Sequence, residues 1–172
     1  MKGSCRHVAG IAAVLLPLIA GSASAVPNPV TATFQVSATV LKACNVSATA
    51  LAFGNYTPGA GAIAGTSAIN VGCTKGTPYT MSVGTGSTAG GTISQRLMTN
   101  GTGSLQYNVY TSSTYTTLLG DGTAGSSKVA GTGSGLASPQ VTTVYGQVPD
   151  VATNQVATPG AYTDTLTVSV AY

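Results

Sequence analysis

The feature that most constrains this chain is a strict period-2 alternation of apolar and polar residues, clearest near its two ends. Ala32, Phe34, Val36, Ala38 and Val40 fall on one face of an extended segment, and Thr31, Thr33, Gln35, Ser37 and Thr39 on the other. After the turn signal Pro159-Gly160, Tyr162, Leu166, Val168, Val170 and Tyr172 share one face with Asp164, while Thr163, Thr165, Thr167 and Ser169 share the other. A repeat of two is the repeat of a pleated strand with one buried side. Thr, Val and Tyr are plentiful and Leu, Lys and Glu are scarce after residue 25, which favours strands over helices. Further strands are predicted around Val46 to Phe53, Ala68 to Cys73, Tyr79 to Val83, Leu105 to Thr111 and Gln140 to Val148. Glycine- and serine-rich stretches separate them, at 54–65, 84–91, 101–104 and 120–138, and are read as loops within one domain. The pattern predicts an all-β sandwich.

The first 25 residues read differently. Lys2, Arg6 and His7 precede an apolar run from Val8 to Leu18, and Ala23-Ser24-Ala25 supplies a small-x-small cleavage pattern. This predicts a secretory signal peptide over 1–25. The run falls short of the roughly 20 apolar residues needed to span a bilayer. The remaining 147 residues, Val26 to Tyr172, suit one domain with its own core. Two cysteines remain in that portion, Cys44 and Cys73. An even pair in an oxidising compartment predicts a disulfide.

Charge is nearly absent. Beyond residue 25 the charged side chains are Lys42, Lys75, Arg96, Lys128, Asp121, Asp150 and Asp164. So few cations cannot make the basic surface that nucleic acid demands. With no His and no Glu after residue 25, a catalytic triad lacks its usual base, and two cysteines alone cannot complete a zinc shell. The expectation is no enzyme, no cofactor, no metal and no small-molecule substrate. Gly84 to Gly91 lacks the Gly-Lys-Ser/Thr ending of a phosphate loop, and Gly120-Asp121-Gly122 is explained as a turn.

Several segments, taken in order, carry a family likeness. They are Phe34-Gln35-Val36, Cys44-Asn45-Val46, Phe53-Gly54-Asn55-Tyr56, Leu105 to Thr111, Gly120-Asp121-Gly122-Thr123, Thr143 to Pro149 and Pro159 to Thr165. Together they resemble a spore coat protein U domain across nearly all of the chain after residue 25. One departure is Leu118-Leu119, where the family often has an aromatic residue before the glycine. The resemblance implies an archaic chaperone–usher pilus subunit with an incomplete immunoglobulin-like sandwich lacking its last strand. It also implies that a periplasmic chaperone, and later the N-terminal segment of a neighbouring subunit (another copy or a related pilin), fills the gap. An outer-membrane usher is the further implied partner, and passage through the periplasm to the cell surface the implied route.

On this reading 26–43 is a donor segment and 44–172 the sandwich domain. Ala32, Phe34, Val36, Ala38 and Val40 are the candidate donor residues, and Tyr162, Leu166, Val168, Val170 and Tyr172 the candidate groove edge. Alternation alone is equally compatible with residues 31–40 forming the first strand of a complete sandwich. The function expected is a fibre subunit supporting attachment and biofilm formation. The alternatives are a stand-alone secreted spore or envelope coat protein, or an adhesive binding module on the same sandwich.

Overall fold

The computed structural model describes Ala25 and residues 28–172, so the signal-peptide assignment lies outside the described residues save for Ala25. Residues up to Ala38 and residues from Thr39 onward form two separate units. In the first, no described residue belongs to a strand or helix, and residues 28–38 are exposed. The alternation at 31–40 therefore has no counterpart in burial within this chain: Phe34 is 87% exposed and Val36 81%.

The second unit is an immunoglobulin-like sandwich of two antiparallel sheets. Its elements are β1 (Cys44–Ala48), β2 (Ile63–Cys73), β3 (Pro78–Val83), β4 (Arg96–Thr99), β5 (Ser104–Tyr110), β6 (Val129–Thr132), β7 (Gln140–Val148), the single turn α1 (Ala152–Gln155) and β8 (Val168–Ala171). One sheet runs β1-β2-β7-β5-β4 and the other β6-β3-β8. Inward residues from both sheets meet in one core, with Val71, Val109, Val144 and Val148 from the first and Tyr79, Met81 and Val83 from the second. In β3 the alternation is nearly ideal, since Tyr79, Met81 and Val83 are buried between half-exposed Thr80 and Ser82. The threonine and serine positions face water, where their hydroxyls need no internal partner.

Cys44 and Cys73 lie directly opposite in the β1–β2 register and are disulfide-bonded, with Cα atoms 4.1 Å apart. Thr74 donates its N–H to the Ala43 carbonyl, so the next pair inward is a non-hydrogen-bonded one, the closer of the two antiparallel spacings.

Several sequence readings are corrected, among them the C-terminal strand, which covers only Val168–Ala171 of the expected stretch from Tyr162 to Tyr172 because the chain is changing sheets before it. The strand expected at Val46 to Phe53 starts at Cys44 and stops at Ala48, and β2 begins at Ile63, inside the expected loop 54–65. β4 was not foreseen, and β6 lies within the glycine-rich stretch 120–138. Gly131 of β6 is there for packing: a Cβ would lie 2.8 Å from Cε1 of Tyr79 and closer still to its Cζ and hydroxyl oxygen. The tyrosine therefore covers a strand position that only glycine leaves open. The turn α1 also went unforeseen. It buries Asn154, whose Oδ1 accepts from the Gln106 N–H at 2.8 Å and whose Nδ2 donates to the Gln106 carbonyl at 3.0 Å. The amide thus pairs with β5 as a strand residue would, just beyond the point where β7 stops pairing with it.

Candidate functional site

A groove opens between the segment that follows β1 and the segment that leads into β8. It has two joined lobes of about 380 and 710 Å³, which share Leu51, Phe53, Met98 and Tyr162. Core residues Ile69, Val83, Tyr107, Val109 and Val144 line the narrower lobe, so the groove reaches into the space between the sheets.

One wall exists because β1 lets go of β2. Thr49 makes a last N–H bond to the Ala68 carbonyl, and the chain then crosses the inner face of the sheet. Two glycines paired across β2 and β7, Gly65 and Gly146, make room for it. A Cβ on Gly65 would lie 2.5 Å from the Ala52 carbonyl oxygen, and one on Gly146 2.6 Å from Leu51 and 2.8 Å from Phe53. Phe53 meets Tyr107 edge-on, with ring centroids 5.9 Å apart.

The other wall is the C-terminal segment, which changes sheets. Thr163 exchanges two N–H bonds with Thr99 at the β4 edge, both 3.0 Å, and residues 168–171 then pair with β3. Gly84 donates to the Thr167 carbonyl, which sets the parity of that ladder. Thr167, Ser169 and Ala171 turn their main-chain groups to β3, and those of Val168 and Val170 point away from it. β8 and β1 are both edges, and no described strand pairs with their outer sides. An apolar groove whose walls continue from two free edge strands is shaped for one more strand.

A polar latch holds the C-terminal wall. Oδ1 of Asp164 accepts from the N–H and hydroxyl of Ser87 (both 2.9 Å) and from those of Thr88 (2.9 and 3.0 Å), while Oδ2 accepts from the Tyr107 hydroxyl at 2.6 Å. Burial raises the carboxyl pKa, but the bonds from Tyr107, Ser87 and Thr88 outweigh it and leave Asp164 below the usual carboxylate value. Burial and the Asp164 bond push the Tyr107 phenol well above its ordinary value. Gly86, with φ +101°, lies so close to the carboxylate that no side chain would fit there. At the mouth of the wide lobe, Asp150 accepts from the Tyr56 hydroxyl at 2.5 Å and from the N–H groups of Gly59 and Gly61. Burial, then the Asp150 bond, push the Tyr56 phenol up to about 12.

The sequence profile of the Spore Coat Protein U domain matches residues 30–169, which takes in both groove walls and most of the exposed N-terminal segment. The chain belongs to the Spore Coat Protein U domain family. Among solved structures, this domain is similar to the CsuC–CsuE chaperone–tip adhesion subunit pre-assembly complex from archaic chaperone–usher Csu pili of Acinetobacter baumannii. The TM-score is 0.54 at 22% identity, and the match covers 78% of this chain and 41% of that one. Likeness at that identity is one of fold, and the chain spans less than half of the matched length. No curated protein matches it in sequence.

The Spore Coat Protein U domain brings four of the five expected edge residues together. Tyr162, Leu166, Val168 and Val170 are half-buried and pack against the core, whereas Tyr172 lies beyond β8 and is 58% exposed. Ala32, Phe34, Val36, Ala38 and Val40 all remain exposed. Sequence reading singled out neither the Asp164 latch nor Arg96. In the sequence Asp164 is one of three carboxylates and the charged member of an apolar stripe, which is the available signal. Among the described residues no group of three or more His, Cys, Asp or Glu side chains could hold a metal.

Proposed function

We propose that this Spore Coat Protein U domain is a structural, non-catalytic subunit of an archaic chaperone–usher pilus that polymerises by donor-strand complementation. The single observation that carries the proposal is the apolar groove between the segments that adjoin the free edge strands β1 and β8. Family membership supports it, as does a fold neighbour that is a chaperone–pilus subunit complex. The donor is the segment 26–43 of another copy, with Ala32, Phe34, Val36, Ala38 and Val40 facing the groove floor. A strand laid there satisfies the edges of β1 and β8 and covers core side chains, which is the logic of strand addition. Moving Phe34, Val36 and Val40 from their exposed positions into the groove yields roughly 5–9 kcal/mol gross. Each ladder hydrogen bond adds about 0.5–1.5 kcal/mol, and ordering the segment offsets part of the sum. A periplasmic chaperone occupies the groove before assembly, an outer-membrane usher exports the subunit, and the fibre serves attachment and biofilm formation at the cell surface.

Gel electrophoresis of fibres without boiling tests this. Strand-exchanged polymers give a ladder that collapses on heating, and a monomer band at every temperature supports a stand-alone coat protein instead. Deleting residues 26–41 behind the intact leader leaves a folded subunit in complex with its chaperone that cannot donate. Polymers of that deletion variant would refute the donor assignment.

A further inference from the structure

Residues 28–172 hold four cationic and three anionic side chains. Four of these seven lie near enough to feel one another's charge. The buried guanidinium of Arg96 feels Asp164 and Asp121, and Asp121 in turn feels Lys128. The remaining three are Lys42, Lys75 and Asp150, and the fold sorts them to opposite ends. Lys42 and Lys75 each lie two residues outside the Cys44–Cys73 pair, so both sit at the C-terminal end of β2. Asp150 follows Val148, which pairs with Ile63 at the other end of the same 11-residue strand. An 11-residue strand is roughly 35 Å long.

Asp150 lines neither lobe but touches the groove mouth through its partners. It holds Tyr56, Gly59 and Gly61, and Tyr56 and Pro58 line the wide lobe. The groove thus has an anionic mouth at the Tyr56 end, while the opposite end of the sandwich carries the subunit's own two lysines.

The donor segment carries a charge at a fixed distance from its apolar stripe. Lys42 is two residues past Val40, roughly 7 Å in an extended chain. We propose that Lys42 of one subunit pairs with Asp150 of the next, and that this pairing sets the direction of the inserted strand. The proposal rests on the fibre reading above. In this direction Val40 sits at the Tyr56 mouth and Ala32 lies toward Val168 and Val170. The donor then runs antiparallel to β8 and parallel to β1. Reversed insertion would bring the donor's Lys42 against the acceptor's Lys42 and Lys75, a like-charge contact on a surface with few other charges to relieve it. The contact is heterologous, one end against the other, and such contacts propagate a filament without closing.

Carbodiimide treatment of wild-type fibres tests the contact directly. The reagent activates a carboxylate, a lysine amine in contact displaces the activating group as a urea, and an amide bond forms with loss of a proton. Lys42 and Asp150 of one subunit lie near opposite ends of the sandwich, so a zero-length link between them joins two subunits. The expected result is a ladder that survives boiling, together with a cross-linked peptide joining Lys42 to Asp150. Fibres of Lys42→Arg, which keeps the charge but offers an activated carboxylate no amine, should keep the heat-labile ladder and lose the boiling-resistant one. A heat-labile ladder with no Lys42–Asp150 peptide overturns this inference alone. Lys42 joined to Asp121 or Asp164 of another subunit in place of Asp150 overturns it as well. Absence of any ladder, treated or untreated, overturns the fibre reading itself.

Discussion

Replacing Arg96 should cost this domain a large share of its stability. The side chain is fully buried, and its three nitrogens make five hydrogen bonds. Nε donates to the Gly84 carbonyl at 2.8 Å, Nη1 to Asn108 Oδ1 at 2.6 Å and to the Ile93 carbonyl at 3.4 Å, and Nη2 to the Leu119 and Val83 carbonyls at 2.8 and 3.2 Å. These acceptors come from the end of β3, the loop before β4, β5 and the loop after β5, so one fork ties four stretches of chain together. Burial lowers the guanidinium pKa, and the nearby Tyr107, Asp121 and Asp164 oppose that shift. In Arg96→Met the charge and its desolvation cost disappear and most of the volume is kept, but four of the five acceptors are main-chain carbonyls that cannot be redesigned away. Each acceptor stranded in the interior costs about 1–3 kcal/mol. Three of the bonds are 2.8 Å or shorter. Allowing for the charge removed, a net loss of about 3–5 kcal/mol follows, at least a fifth of the roughly 5–15 kcal/mol stability of a typical domain. Arg96→Lys keeps the charge but has three donors on one atom in place of a planar fork, so it should fall between wild type and Met. Urea denaturation of the isolated domain, read by far-ultraviolet circular dichroism, measures both. A loss below about 1 kcal/mol for Arg96→Met would show that the fork is incidental and refute the reasoning.

Other expectations follow from the same contacts. Asp164 has a depressed folded pKa, so its contribution is present above the unfolded value near ~3.9 and is lost as pH falls through the lower folded value. Acid titration of stability should show a steeper limb below about pH 4 for wild type than for Asp164→Asn, and equal limbs would contradict the latch. Reducing Cys44–Cys73 opens a link with a sequence separation of 29, worth roughly 3.5 kcal/mol of chain entropy. Denaturation with and without reductant should separate by about that amount, and Cys44→Ser should match the reduced form. Gly146→Ala should push Leu51 and Phe53 toward the groove, costing about 1–3 kcal/mol and weakening capture of a peptide spanning residues 30–42. Calorimetric titration with that peptide reads the second effect, and unchanged binding would mean that the 51–53 segment is not a groove wall.

Local pattern determined a good deal of this protein. The period-2 stripe Tyr79-Met81-Val83 set both the strand type and the inward face, and the stripe Tyr162 to Val170 set the inward face although only Val168–Ala171 is strand, because side-chain direction along an extended chain depends on parity. Two cysteines in an exported-looking chain set the disulfide. The residues quoted for the family likeness fall within the matched span 30–169. Other features depended on residues distant in sequence. Gly131 reads as a loop until Tyr79 covers it, and Gly65 and Gly146 read as weak strand positions until the 51–53 segment lies across them. Arg96 and Asp164 read as isolated charges until loops from elsewhere supply their partners. The groove is decided at that level alone. It exists because β1 leaves its sheet at Thr49 and the C-terminal segment changes sheets between Thr163 and Val168, and a gap between two edges is a relation among strands that no single segment encodes.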